Sequence, residues 1–402
     1  LEFQPFFLGI LENMSARSPM HFILLFGLVS LFSDMTYEGA RSIQGAFLET
    51  LGASAFMVGT LAGFCEFLGY LVRFFAGRYA SQSGRYWHFI FVGYVLNLIS
   101  IPILGWTHSW MWAFVLILLE RIGKALRVPS RDTLLSQAGQ SVGMGWGFGI
   151  HEAMDRIGAM LGPLFVTYVI YKSNDMHLAF QSLWIPALLS VAILSLAFIT
   201  QSSDHKDIAS PASNIGLKHP YVFKIYVLGS SFMAMGFADF ALMAFHFQKT
   251  HLVTTFWIPI FYAISSASNI FITPIWGCFF DKWGFKVLIG SSLLSIAYAL
   301  FVFLGDVRFV LVGIILWGIG MGVQSSLMRA FVGKITDEHQ RAHAYGIFNA
   351  CFGLAWFLGS VVMGVLYEKS LWGLVVFSFV CQFIGLCCYF CVGFWFGFSE
   401  KK

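Results

Sequence analysis

The chain has 402 residues, of which 58% are hydrophobic and only 11% charged, with 45 Phe and a formal net charge of +4. A soluble domain covers its surface with roughly 25% charged residues, so this composition and the mean hydropathy of +0.76 exclude a water-soluble globule. The small positive balance gives no case for nucleic acid binding. The solvent for most of the surface is lipid, where each backbone polar group must find its partner inside the chain. A membrane β-barrel would show alternating segments of about ten residues, whereas the apolar runs here reach the ~20 residues a helix needs to cross.

In chain order, the runs predict twelve spans at 20–48, 54–76, 86–106, 110–130, 144–170, 178–200, 221–248, 254–280, 286–304, 308–333, 342–367 and 371–397. Residues 1–19, which begin at Leu1 rather than Met, are read as a tail that includes non-native residues, and no cleavable signal peptide is expected before the first span. The longest polar connection, 201–220, lies near the midpoint and reads as a cytoplasmic linker between an N-terminal bundle, 20–200, and a C-terminal bundle, 221–402. With the N-terminus placed inside, the inward segments hold about fifteen Lys and Arg against four in the outward loops (Lys172, Lys249, Arg308 and Lys369). The positive-inside rule then puts both termini in the cytoplasm. The seven Cys form no paired CxxC motif and read as small packing residues.

The two halves repeat each other. Span two is followed by Gly77-Arg-Tyr-Ala-Ser81-Gln-Ser-Gly84-Arg85, and span eight by Gly277-Cys-Phe-Phe-Asp281-Lys282-Trp-Gly284-Phe-Lys286. Gly149-Ile150, Ala153, Gly158 and Gly162 of span five correspond to Gly346-Ile347, Ala350, Gly353 and Gly359 of span eleven. Both matches have an offset near 200 residues, as an internal repeat requires.

The Gly-x₃-Asp-(Arg/Lys)-x-Gly-x-(Arg/Lys) loop resembles the signature of the major facilitator superfamily. The copy from Gly277 to Lys286 is close to complete, while the copy from Gly77 to Arg85 has Ser81 for the acid and Gln82 for the base. The resemblance spans the chain and implies an all-α fold of twelve transmembrane helices in two pseudo-symmetric six-helix bundles. It implies a cytoplasmic gate at Gly77, Gly84, Arg85, Gly277, Asp281, Lys282, Gly284 and Lys286. Gly158, Gly162 and Pro163 resemble the Gly-x₃-Gly-Pro bend of the family's antiporters, where small residues bring helices close and Pro bends one of them. The segment Ser33 to Ser42 is similar to the first span of a prokaryotic permease branch of unclear substrate.

Ionisable groups inside spans are functional candidates by default. Asp34, Glu38 and Arg41 share one face of span one. Glu66 and Arg73 lie in span two and are expected to pair with each other. Span four carries Glu120 and Arg121, followed by Lys124, Arg127 and Arg131, which read as a cytoplasmic anchor. Span five carries His151, Glu152, Asp155 and Arg156, and Asp239 is the main mid-span carboxylate of the second half. Uncharged candidates there are Asn269, Gln324, Asn349 and Gln382. His151, Asp239 and His246 offer a weak divalent-metal set. At least one of Asp34, Glu38 and Asp155 is expected to take up and release a proton as access alternates.

The expected activity is secondary transport by alternating access, as proton-coupled export of a small organic or cationic solute. The alternative is proton-coupled uptake of an organic anion, a metal or a metal complex, for which the buried arginines would serve. No nucleophile motif, phosphate loop or clustered ligands point to an enzyme, and no cofactor is expected. The coupling ion is read as H+, with Na+ open. The expected setting is the plasma (inner) membrane, multi-pass and monomeric, with the bilayer and a small solute or ion as partners.

Overall fold

The computed structural model of the chain describes residues 19–201, 220–336 and 341–399, all but a few of them helical. The tail 1–19 and the linker 201–220 therefore lie almost wholly outside the described residues, as does the side chain of Asp281. The helices are α1 (Pro19–Thr50), α2 (Ala55–Ser83), α3 (Tyr86–Ile103), α4 (Trp110–Val142), α5 (Met144–Ser173), α6 (Met176–Ser182) and α7 (Trp184–Gln201). They continue as α8 (Pro220–Met235), α9 (Phe240–Lys249), α10 (Trp257–Trp283), α11 (Phe285–Ser295), α12 (Tyr298–Leu304), α13 (Val307–Gly322), α14 (Met328–Ile335), α15 (Arg341–Lys369) and α16 (Leu371–Ser399).

Ten segments among the described residues are long and apolar enough to cross a membrane. Two of the twelve expected spans fall outside that set for visible reasons. α4 has the length, at 33 residues, but carries Glu120, Arg121, Lys124 and Arg127 through its middle. α13 is short because a π-helical turn, Val323–Leu327, separates it from α14. Such turns interrupt α-helices at sites of function more often than elsewhere.

The ends of the helices follow local chemistry. Asp175 and Asp306 cap α6 and α13 by accepting from backbone N–H groups of the first turn. Gly84 and Gly284, the second glycines of the two repeated loops, stop α2 and α10 at φ of +65° and +58°, which a residue with a Cβ adopts only at a cost.

α1 packs on α5 with almost no side chain between them. A Cβ on Gly158 would overlap the carbonyl oxygen of Leu31, and one on Gly162 would lie 2.8 Å from the Gly39 nitrogen. The second half repeats the device: a Cβ on Gly359 of α15 would overlap the Met235 carbonyl of α8. The Gly-x₃-Gly-Pro element is thus a helix-packing seam, with Pro163 inside the helix just beyond it.

The halves meet along α1 with α9, α2 with α15 and α5 with α10. The closest approaches lie toward one end of the bundle. A Cβ on Gly63 would lie 2.9 Å from the Phe357 Cα, and one on Gly364 would lie 2.9 Å from the Ala55 oxygen. The Phe56 N–H donates to Glu368 Oε1 at 3.1 Å, and Tyr171 meets Phe256 edge-on. At the opposite end Phe74, Phe75, Tyr79 and Trp283 are more than half exposed. There Arg85, Lys282 and Lys286 lie exposed, and none forms an ion pair among the described residues. The tightest contacts between the halves thus lie at the end that carries the 51–54 loop, opposite the repeated Gly loops.

Candidate functional site

The seventh span is broken. Between α8 and α9 the chain leaves the helix at Gly236–Asp239, and side chains from three other helices satisfy the freed backbone. Ser378 donates to the Gly236 carbonyl at 2.6 Å and Tyr298 at 3.1 Å. The Ala238 N–H donates to the Tyr298 hydroxyl at 2.5 Å, and Trp317 Nε1 donates to the Ala238 carbonyl at 2.9 Å. Irregular backbone at membrane depth persists only where protein or a wet cavity supplies such partners. The break aims Asp239 at the first half. Its Oδ1 caps α9 by accepting from the Ala241 N–H at 2.9 Å, and its Oδ2 accepts from Arg41 Nη2 at 2.9 Å.

Arg41 is therefore a junction. The same Nη2 lies 3.2 Å from Glu66 Oε1 on α2. That oxygen also takes Arg121 Nη1 at 2.9 Å, and Arg121 Nε lies 3.6 Å from Glu120 Oε2. Asn97 of α3 holds Glu120 through both its carbonyl and its carboxylate, at 3.1 Å each. Tyr37, one turn before Arg41, accepts from Arg121 and stacks beneath Lys124, whose Nζ stands 3.3 Å from the ring centre. A second link crosses between the halves, where the Tyr262 hydroxyl of α10 donates to Glu38.

These groups wall two adjoining lobes. The first, about 170 Å³, is lined by Arg41, Arg73, Arg121, Lys124, Glu66 and Tyr37, among others. The second, about 140 Å³, shares Arg41, Glu66 and Tyr70 with the first and adds Met321, Gln324, Phe348, Asn349, Phe352 and Trp356 from the other half. Gln324 belongs to the π-helical turn.

The structure gathers Glu38, Arg41, Glu120, Arg121 and Asp239 as one cluster, but it changes several pairings. Glu66 bonds Arg41 and Arg121 where the sequence predicts Arg73, which instead lies 5.8 Å over the Tyr70 ring. Seven residues along one helix puts Glu66 and Arg73 on one face, yet two arginines from neighbouring helices reach the carboxylate more directly. Lys124 and Arg127 are not a surface anchor. Lys124 lines the cavity, and Arg127 is wholly buried, 3.8 Å from Asp34 and 4.1 Å over the Tyr94 ring. Omitting both from the inward charges leaves the asymmetry of the loops intact. Arg131 pairs with its neighbour Asp132 at 2.9 Å.

Of the span-five residues, Asp155 lies close enough to Asp34 and Lys124 to act on both, while Glu152 and Arg156 stand apart. Asp155 accepts from Ser30 at 2.5 Å, and Glu152 and Arg156 form an i, i+4 pair at 2.8 Å on an open face. His151 is buried beside them. His246 bonds Tyr367 through Nδ1 at 3.0 Å. Among the described residues no three His, Cys, Asp or Glu side chains converge as metal ligands, so His151, Asp239 and His246 do not make a divalent site. The residues that sequence reasoning missed are Glu66 as the hub, Tyr37 and Tyr262 as its hydroxyl partners, and Lys124 as a cavity cation. Only Glu66 and Lys124 carried a signal, as charges within spans.

Comparison with known proteins agrees with this architecture. A family model described as Major Facilitator Superfamily matches residues 24–360 and 286–402. An uncharacterized protein of Mycobacterium tuberculosis is 33% identical over 94% of this chain and 94% of its own length. An uncharacterized MFS-type transporter of Methanocaldococcus jannaschii is 27% identical over 89% of this chain and 92% of its own. The crystal structure of a nucleoside transporter, an Asp-to-Ala mutant, superposes with a TM-score of 0.72 at 16% identity, covering 92% of this chain and 98% of that one, a likeness of fold alone. The chain is a multi-pass helical membrane transporter, not an enzyme, and it belongs to the major facilitator superfamily.

Proposed function

We propose that this transporter couples solute movement to protons by alternating access, and that the two adjoining lobes are its solute site. In this reading α4 and the α13–α14 segment also cross the bilayer. That gives twelve spans with both termini cytoplasmic, and the end with the repeated Gly loops faces the cytoplasm. The observation that carries the proposal is Arg41, held at once by Glu66 of its own half and Asp239 of the other, at 3.2 and 2.9 Å. Rocking one half against the other must break or remake the second contact, and the carboxylates freed at that moment are groups that can take a proton. Glu38, bonded to Tyr262 across the same seam, and Asp34, beside Arg127, are further carriers.

Export by exchange for protons is the direction proposed, on the Gly158-to-Pro163 element. One observation favours a second reading, uptake of an anion together with protons: four cationic side chains and one carboxylate line the first lobe.

The test is dissipation of an imposed pH gradient in proteoliposomes, scanned over impermeant organic acids, amines and neutral metabolites with either sign of gradient. We expect one class to collapse the gradient, and Glu66→Gln and Asp239→Asn to lose coupling. The proposal fails if a sodium gradient alone drives the solute, or if those variants and the Asp34→Asn/Glu38→Gln double variant all keep full proton coupling.

A further inference from the structure

A charged group in a low-dielectric site needs a counter-charge or it costs several kcal/mol. Within the cluster most charges have one. Arg41 has Glu66 and Asp239, Arg121 has Glu66 and Glu120, and Arg127 has Asp34. Lys124 lines the first lobe and stacks on Tyr37; Asp34, Glu38 and Asp155 act on it electrostatically, but among the described residues no carboxylate lies within ion-pair distance of its ammonium. Glu38 is engaged by Tyr262 of the other half. The first lobe is lined by four cationic side chains and one carboxylate, Glu66, which already holds Arg41 and Arg121.

The second lobe has a different character. Phe348, Phe352 and Trp356 are each at least nine-tenths buried. They make an apolar wall continued by Met321 and Tyr70, with Gln324 and Asn349 as polar points. The indole N–H of Trp356 has no hydrogen-bond partner among the described residues. The lobes adjoin at Arg41, Glu66 and Tyr70, which line both. Together they are near the lower limit, about 300 Å³, of ordinary small-molecule sites.

We propose that the solute is a small amphipathic organic anion. Its acid group, a carboxylate or a phosphate monoester, sits against Lys124 and Arg121 in the first lobe. Its apolar or aromatic body lies against Phe348, Phe352 and Trp356 in the second, with a hydrogen-bond acceptor toward the Trp356 indole. This rests on the reading of the cavity as the solute site. It replaces the cationic solute expected from the sequence, because four cationic side chains and one already paired carboxylate line the first lobe.

The experiment is equilibrium binding to the full chain in detergent at neutral pH, read as the shift of unfolding temperature with ligand concentration. The probes hold shape constant and vary charge: benzoate, benzamide and benzamidine. Acetate supplies the charge without the ring, and phenyl phosphate replaces the carboxylate. Benzoate or phenyl phosphate is expected to stabilise the protein in a saturable way, and the tighter of the two names the acid group. Benzamide, benzamidine and acetate are expected to give no comparable shift. Lys124→Gln should weaken the anion at least about tenfold, and Phe352→Ala should weaken benzoate. Equal or greater stabilisation by benzamidine overturns the proposal, and so does acetate matching benzoate. The charge series on the unsubstituted chain decides the matter even if a variant does not fold. Binding needs no gradient: benzoate that binds without proton coupling sinks the coupling reading alone, and amine-driven proton flux without benzoate binding sinks this one alone.

Discussion

Asp239 has two separable duties, and substitution can divide them. Its Oδ1 caps α9 at 2.9 Å and its Oδ2 pairs with Arg41 at 2.9 Å, with the carboxylate 3% exposed and the guanidinium 12%. Breaking a buried pair by removing one partner costs about 3–5 kcal/mol. Arg41 keeps Glu66 at 3.2 Å, so the loss should fall near the lower figure, about 3 kcal/mol. Asp239→Asn removes the charge but leaves a capping oxygen, since Asn caps helices as well as Asp does. Asp239→Ala loses the cap too, for about 1 kcal/mol more. Because the partners belong to different halves, much of the loss acts on the conformer that joins them. At 1.4 kcal/mol per tenfold, 3 kcal/mol shifts that equilibrium on the order of a hundredfold.

The assay is thermal unfolding of the wild type, both variants, Arg41→Met and the Arg41→Met/Asp239→Asn double variant. It is accompanied by distance measurement between spin labels at the exposed positions 79 and 283, one beside each repeated Gly loop. We expect Asp239→Ala to be the less stable of the two single variants, a coupling of at least about 1 kcal/mol in the cycle, and a shorter label separation in Asp239→Asn. A coupling near zero with unchanged label distances would refute the claim that this pair holds the halves. Equal stability of the Asn and Ala variants would refute the capping argument.

Two further predictions concern packing and the inner charges. Gly158→Ala should destabilise by about 1–3 kcal/mol, because its Cβ meets the Leu31 carbonyl and α1 must move. Gly149→Ala in the same helix, where nothing lies within 4 Å, should be neutral or stabilising by about 0.5–1 kcal/mol. Unfolding midpoints that rank the two the other way would show that the seam is not tight. Arg127→Met alone should cost about 3 kcal/mol by removing one of the two cations beside buried Asp34, Lys124 being the other, and Asp34→Asn should recover most of that loss in the double variant. Simple additivity in thermal unfolding would mean that the two groups do not interact.

Much of this protein was legible in the chain because lipid imposes a severe filter. Long uncharged runs have no alternative to helices, so the spans could be read from composition alone, and two glycine patterns repeated at one offset exposed the two halves. The same filter made the buried charges conspicuous, and Glu38, Arg41, Glu120, Arg121 and Asp239 do meet. What helical spacing could not decide was which charge meets which. Spacing reports the face of one helix, while pairing depends on the helices opposite. Glu66 looked matched to Arg73 along α2, but Arg41 and Arg121 approach it from α1 and α4. Lys124 and Arg127 looked like an anchor because they trail toward the end of a span, yet α4 is buried deeply enough to draw both inside. The break at Gly236–Asp239 left no strong sequence signal, since its backbone is satisfied by Ser378, Tyr298 and Trp317, which lie 60 to more than 140 residues away. Tyr37 and Tyr262 were indistinguishable from the other aromatic residues of a Phe-rich chain until the tertiary structure set their hydroxyls against Arg121 and Glu38.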